Sequence, residues 1–231
     1  MKNVPRIFID SELREGAAAP LTQEQLHYLT RVMRTDRFLA FNGGVEYEAM
    51  VENGRAKILA KTCHADPSGD WTFCFAPIKR MEDLLAGIVQ MGVGRLLPVI
   101  TERTVAQHIN WGRMKKIIIE NCEQSGRNSV PELLPPISFA SLDKKGLAFG
   151  DERKLTINNE QLTVNDKSLT HNRNCSLFTV NCQLFVGPEG GFSDAEFAAL
   201  EKGGAIGVNL GKTILRSEVA AIALCAKLIG G

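Results

Sequence analysis

Along the first seventy positions the hydrophobic residues change their period twice. Leu26, Leu29 and Met33 follow one another at helical spacing, and Thr22-Gln23-Glu24-Gln25 ahead of them has the form of a capping box. A short amphipathic helix over 22–33 is the prediction. Phe38 to Phe41 is then an apolar run closed by Asn42-Gly43. Beyond it Val45, Tyr47, Ala49 and Val51 alternate with Glu46, Glu48 and Met50 as far as a second turn at Asn53-Gly54, after which Ala56, Ile58 and Ala60 face one way. Three strands joined by two tight turns make a meander, which at this size must curl or pack on the helix to hide its apolar face. A small β-barrel with one helix is expected, with His64 to Asp70, containing Pro67 and Gly69, as the linker that follows.

From Trp71 onward strands and helices alternate. Trp71, Phe73 and Phe75 form a strand stopped by Pro77; Met81 to Met91 is helical, with Leu84, Leu85, Ile88 and Val89 inward; Arg95 to Thr101 is a strand in which Pro98 marks a bend or an edge. Asn110 caps a helix with Trp111, Met114, Ile118 and Cys122 on its apolar side, and a short strand follows near Leu147 to Phe149. Cys182 to Val186 reads as a buried parallel strand. Ser193-Asp194-Ala195-Glu196 caps another helix, Ala205 to Leu210 is a strand, and a last helix over about 218–229 buries Ala221, Leu224, Cys225, and Ala226 or Leu228. Such alternation implies a parallel sheet covered on both faces. The expected division is therefore a β domain over 1–70 and an α/β domain over 71–231, with an asparagine-rich loop over about 153–175.

Composition narrows the function classes more than it selects one. With 44% hydrophobic and 23% charged residues the chain has the makings of a folded core, and a net charge of +1 means that any nucleic-acid surface must come from segregated basic residues. Arg31, Arg34 and Arg37 recur every three residues at the end of the first helix. They suit a phosphate-contacting strip, or merely a solvated helix end whose cations favour the dipole. The six cysteines include no CxxC pair and the histidines are scattered, so neither disulfides nor a metal centre is expected. Met1 to Asp10 carries Lys2 and Arg6 without an apolar h-region, and no apolar run approaches a bilayer span; a cytoplasmic location is expected.

Three glycine-bearing segments follow predicted strands or helices, where ligands collect in parallel α/β sheets. Gly187-Pro188-Glu189-Gly190-Gly191 joins the buried strand to a capped helix, and its glycines permit close approach of backbone to a ligand as readily as an ordinary tight turn. Leu210-Gly211-Lys212 leads into Ile214-Leu215-Arg216-Ser217-Glu218. Glu218 would suit the start of a helix in any protein, but Arg216 gains nothing from that dipole. Glu120 to Asn128, with Glu123 and Arg127, crowds polar side chains at one helix end. Neither GxGxxG, a Walker A loop, HExxH nor GxSxG is present.

Taken together the three segments resemble the RsmE family of ribosomal RNA methyltransferases. Gly187 to Gly191 is similar to its GPEGG signature, Leu210-Gly211 with Ile214 to Glu218 to its LG…ILRxE segment, and Cys122 to Arg127 to its CEQxGR segment, in matching order. The resemblance covers nearly the whole chain. It implies a SPOUT α/β trefoil-knot domain preceded by a small PUA-like β-barrel domain that binds RNA, a homodimer, and methylation of N3 of a uridine in 16S rRNA of the small ribosomal subunit with S-adenosyl-L-methionine. Carried over, Gly187, Glu189, Gly190, Gly191, Leu210, Gly211 and Leu215 would surround that cofactor. Arg216 would stabilise the uracil anion, with Glu218 orienting it or Glu123 taking the proton; Arg31, Arg34, Arg37 and Arg127 would meet RNA. The chain departs from the family at Gly87, where many members have lysine, and at Ser217 and Val219, where threonines are usual. Two other readings stand beside this one: a SPOUT enzyme acting on a ribose hydroxyl or a tRNA base, and a non-catalytic assembly factor that keeps the fold.

Overall fold

The computed structural model describes residues 4–105, 109–153 and 182–229. In chain order the elements are β1 (Arg6–Phe8), β2 (Ala18–Pro20), α1 (Gln23–His27), β3 (Arg37–Asn42), β4 (Val45–Glu52), β5 (Arg55–Lys61), β6 (Thr72–Phe75), α2 (Met81–Gln90), β7 (Arg95–Ile100), α3 (Trp111–Ser125), β8 (Glu132–Leu133), β9 (Ile137–Ser138), β10 (Ala148–Gly150), β11 (Gln183–Val186), α4 (Asp194–Lys202), β12 (Ile206–Val208) and α5 (Ser217–Leu228). The chain forms two compact units, one from the residues up to Gly69 with Gly112–Pro131, the other from Asp70–Trp111 with the residues from Glu132 onward. Most of α3 therefore groups with the first unit, whereas the sequence suggested one unbroken domain after residue 70. The asparagine-rich stretch lies, but for Arg153, outside the described residues.

In the first unit a five-stranded sheet runs in the order β1-β3-β4-β5-β2, with β1 parallel to β3 and the other pairs antiparallel. The meander of three strands is as expected. The two edge strands are only three residues long and carry no alternation that sequence reading could detect. The first hairpin turns on Gly43 and Gly44, both at positive φ, so the backbone twist of the turn matches that of its strands. The predicted helix over 22–33 is α-helical only to His27, then opens into a π turn over Tyr28–Val32. Thr30 there donates its hydroxyl to the Leu26 carbonyl, in competition with backbone N–H groups. Leu29 plugs that turn into a core with Ile7, Ile9, Phe38, Ala49 and Ile58.

Glu46 overturns the alternation read along β4. The pairing of β4 with β5 shifts register between Tyr47 and Ala49, and Glu46 is 4% exposed. Its charge is matched by Arg6 at 2.7 Å, and Thr62 donates a hydroxyl to it at 2.8 Å. A second polar knot closes the unit. Asp66 accepts hydrogen bonds from the Ser68 backbone and hydroxyl, the Asn128 N–H and the Ser129 hydroxyl, which ties the segment after β5 to the segment after α3. Burial works against its charge, but these donors outweigh it and hold the carboxyl below its ordinary range.

The second unit is built on parallel strands in the order β12-β10-β11-β6-β7-β8, with β9 beside the far end of β7. All four residues of β6 are buried, the continuous apolar run of a central parallel strand. Pro98 sits where β7 changes neighbours, since β8 pairs with Arg95 and Leu96, and β9 with Val99 and Ile100. Helices α2 and α5 pack closely: a Cβ on Gly87 would come 2.7 Å from the side chain of Ile222. Of the candidates in α5, Leu228 is buried and Ala226 is exposed. The order of the sheet reverses between β6 and β11. The crevice beyond their carboxyl ends is thus the place where such a sheet takes a ligand.

Asp66 gives a pH test of the first unit. A carboxyl held below its unfolded value of about 3.9 adds stability that is complete above that pH and fades as pH falls through its own lower value. Asp66→Asn is expected to cost about 1–3 kcal/mol at neutral pH and to flatten the acid limb of the stability curve, as measured by urea denaturation between pH 3 and 7.

Candidate active site

The glycine turn after β11 is shaped by an aromatic anchor. The chain leaves the sheet at Val186, reverses through a bond from the Gly191 N–H to the Pro188 carbonyl, and drives Phe192 back into the core. There the Phe192 ring meets Phe185, Phe197 and Phe149 with centroids 5.0, 5.5 and 6.0 Å away. The ring passes so close to Gly187 that a Cβ there would lie 3.0 Å from it. Gly191 has φ +68°, and a Cβ on it would meet the Glu152 carboxylate at 2.7 Å. Gly187 is thus required by the packing of the ring, and Gly191 by its backbone conformation.

Neighbouring loops brace this turn. Arg103 donates from Nη1 to the carbonyls of Gly190 at 2.9 Å and Phe192 at 3.3 Å. Ser193 and Glu196 form the predicted capping box at the start of α4, and Glu196 also accepts the Glu102 N–H at 2.8 Å. Glu189 accepts the backbone N–H of Lys79 at 2.8 Å, which ties the turn to the loop after β6.

The segment after β12 forms the opposite wall. Asn209 accepts the Gly211 N–H at 2.7 Å, and Leu210 reaches to 3.1 Å from where a Cβ of Gly150 would be. Arg216 stands at the N-cap of α5 with extended backbone, and among the described residues its guanidinium has no hydrogen-bond or ion-pair partner. Glu218, 6% exposed, accepts from Arg80 Nη1 at 2.7 Å, and Arg80 also pairs with Asp83. The carboxylate expected to orient Arg216 is therefore engaged by a different arginine, 138 positions earlier.

Between these walls lies a cavity of about 510 Å³, within the range of small-molecule sites. Its lining comes from the ends of four strands and the loops after them: Lys79 and Arg80 after β6, Gly150 to Glu152 at the end of β10, Val186 to Glu189 with Gly191 and Phe192 after β11, and Leu210, Gly211 and Thr213 to Glu218 after β12. Gly187, Glu189, Gly191, Leu210, Gly211, Leu215, Arg216 and Glu218 are thus brought together from two motifs. Gly190 stands behind the turn, its carbonyl taken by Arg103. Lys79, Arg80, Asp151, Glu152 and Arg103 carried no motif in the sequence; the one available signal was their position just past predicted strands.

The remaining candidates belong to the first unit. Glu123 is not in the cavity lining and accepts the Phe8 N–H at 3.0 Å. Burial pushes its carboxyl up to about 7, with the Phe8 N–H and Arg6 opposing and Glu120 adding to the shift. Arg127, expected at an RNA surface, is 1% exposed and donates Nε to Ser68. Arg31, Arg34 and Arg37 are exposed, and Arg34 adopts a left-handed φ of 51°. Among the described residues no group of three metal-binding side chains is assembled, and no helix is long and apolar enough to cross a membrane.

A family described as "RNA methyltransferase domain" matches residues 66–229. The ribosomal RNA small subunit methyltransferase E of Rickettsia conorii is 30% identical over 96% of this chain and 94% of its own length. The chain belongs to the RsmE-type RNA methyltransferases. The same enzyme of Buchnera aphidicola from Schizaphis graminum is 28% identical over 98% of the chain and 96% of its own length. Among solved structures, the Neisseria gonorrhoeae enzyme, crystallised with S-adenosyl methionine, superposes with a TM-score of 0.78 at 27% identity, covering 97% of this chain and 96% of that one. The RsmE fold accounts for both units: the curled five-stranded sheet is the PUA-like domain, and the parallel sheet carries the methyltransferase.

Gly191→Ala tests the geometry of the turn directly. A non-glycine residue held at that φ costs about 1–2 kcal/mol, and displacement of Glu152 adds to it. Thermal denaturation is expected to show a lowered Tm for this variant, and an unchanged Tm would mean that the turn relaxes freely.

Proposed function

We propose that this protein transfers a methyl group from S-adenosyl-L-methionine to N3 of a uridine in 16S rRNA of the small ribosomal subunit. The observation that carries the reading is the joining of two motif turns, Gly187 to Gly191 and Leu210 to Glu218, around one cavity that ends in a cation without a partner among the described residues. In this reading the second unit is a SPOUT domain with a knotted C-terminal segment, and the protein acts as a homodimer in the cytoplasm. Support comes from its membership of the RsmE family and from the likeness to a structure that holds the cofactor.

The cavity suits the cofactor on its own terms. Val186, Phe192, Leu210, Ile214 and Leu215 offer an apolar bed for a purine. The glycine turns leave backbone free to approach it. When bound, S-adenosyl-L-methionine supplies a methyl group that is already activated. The chain's own residues then have three tasks. The turns would hold the cofactor in one place, so that a base entering the cavity could be aligned with its methyl group. Arg216 faces the flanking carbonyl oxygens of the uracil and stabilises the negative charge that spreads onto them when N3 loses its proton. Arg80 holds Glu218, which fixes the first turn of α5 and with it the place of Arg216. Arg31, Arg34 and Arg37, exposed in the first unit, contact the phosphate backbone of the RNA.

Arg216→Ala is expected to lower methyl transfer by about a hundredfold or more while leaving the fold intact, because the side chain has no partner to lose among the described residues. The measurement is label transfer from S-adenosyl-L-methionine to small subunits lacking the modification, followed by mass spectrometry of the digested nucleosides. Label in 3-methyluridine supports the reading. Label in a ribose 2′-O-methyl or a tRNA base, or none with any RNA, overturns it.

A further inference from the structure

Four carboxylates line the cavity, and three of them are committed to protein donors. Asp151, 5% exposed, accepts the Arg153 N–H at 3.0 Å. Glu189 accepts the Lys79 N–H, and Glu218 the Arg80 guanidinium. Glu152 differs: among the described residues its carboxylate has neither a hydrogen bond nor an ion pair. Its side chain is exposed and stands against the glycine turn. Its Oε1 occupies the space a Cβ of Gly191 would fill, so the turn after β11 omits a side chain where this carboxylate stands. An unmatched negative charge on the wall of a cavity attracts a cation there, and low-dielectric walls strengthen that attraction.

We propose that Glu152 is the counter-charge for the sulfonium of S-adenosyl-L-methionine, and that it lets the site tell cofactor from spent product. The inference rests on the reading of the preceding subsection. Transfer breaks the S–CH3 bond, with the bonding pair staying on sulfur, while carbon bonds to the base nitrogen that has given up its proton. Sulfur is then neutral. The attraction to Glu152 is present before transfer and absent afterwards, so the same carboxylate that favours entry of the cofactor ceases to retain S-adenosyl-L-homocysteine. The ammonium and carboxylate of the methionine end are unchanged by the reaction and offer no such discrimination.

Calorimetry with both nucleosides on the full-length protein tests this. Wild-type protein must first bind S-adenosyl-L-methionine; if it does not, the functional reading itself fails and the result says nothing specific to Glu152. Given binding, Glu152→Gln is expected to weaken S-adenosyl-L-methionine about tenfold, allowing for solvent screening of an exposed group, and to leave S-adenosyl-L-homocysteine within about threefold. Glu152→Asp should recover part of the difference, and the wild-type preference should shrink as salt is raised. The Tm without ligand should not move, since the carboxylate has no hydrogen bond or ion pair to lose among the described residues. Equal weakening of both nucleosides would overturn the proposal in favour of a contact to the unchanged ammonium. Lost turnover with both affinities intact would overturn it in favour of a proton acceptor.

Discussion

Phe192 is the constraint on which the rest of the site depends. A loop that must present bare backbone to a ligand cannot stabilise itself with side chains, so it has to be pinned from behind. Here the pin is one aromatic ring, buried among Phe149, Phe185 and Phe197 and pressed against the α-carbon side of Gly187. A well-placed aromatic contact contributes roughly 0.5–1.5 kcal/mol beyond the area it buries, and with Phe139 at 6.5 Å four such contacts converge on this ring. Arg103 adds two hydrogen bonds to the same loop from outside. The front of the turn can then be conformationally bare because its back is densely packed.

Charge in the cavity follows a similar economy. Carboxylates that serve the architecture are each given a donor: Glu189 links two loops, Glu218 links α5 to Arg80, and Asp151 folds onto the loop that follows it. Among the described residues Glu152 is left over, and with it two cations, Lys79 and Arg216. In the first unit, by contrast, Glu46 is ion-paired with Arg6, and Asp66 accepts from four donors. Satisfied networks of that kind fix a structure, whereas unmatched charges beside a cavity are available to something else.

What could be read from the sequence divides along physical lines. Elements with a sustained period or a capping signal were legible: β3 to β5, α2, α4 and α5, with β6 by its alternation and β11 by its apolar run. β1 and β2 were not, because three residues hold no period, and their pairing partners lie far along the chain. Glu46 was placed on the wrong face because a register shift in β4 leaves no trace in composition. In the site, glycine turns and Arg216 announced themselves as motifs. Arg80 did not, since its meaning comes from Glu218, 138 residues away. Arg127 looked like a surface cation and is a core residue, a difference decided entirely by what folds over it. Glu152 follows a three-residue strand and belongs to no pattern.

The contact between Gly87 and Ile222 ties two helices together in a way that reaches beyond packing. A residue with any side chain at 87 must first push the isoleucine aside, and Ile222 is itself partly open to solvent at 40% exposure. A longer side chain at 87 therefore fits only with Ile222 turned outward into solvent or replaced by something smaller. Gly87→Lys on this chain alone would report that steric adjustment, and the effect of the new cation itself would be visible only in a double exchange with Ile222.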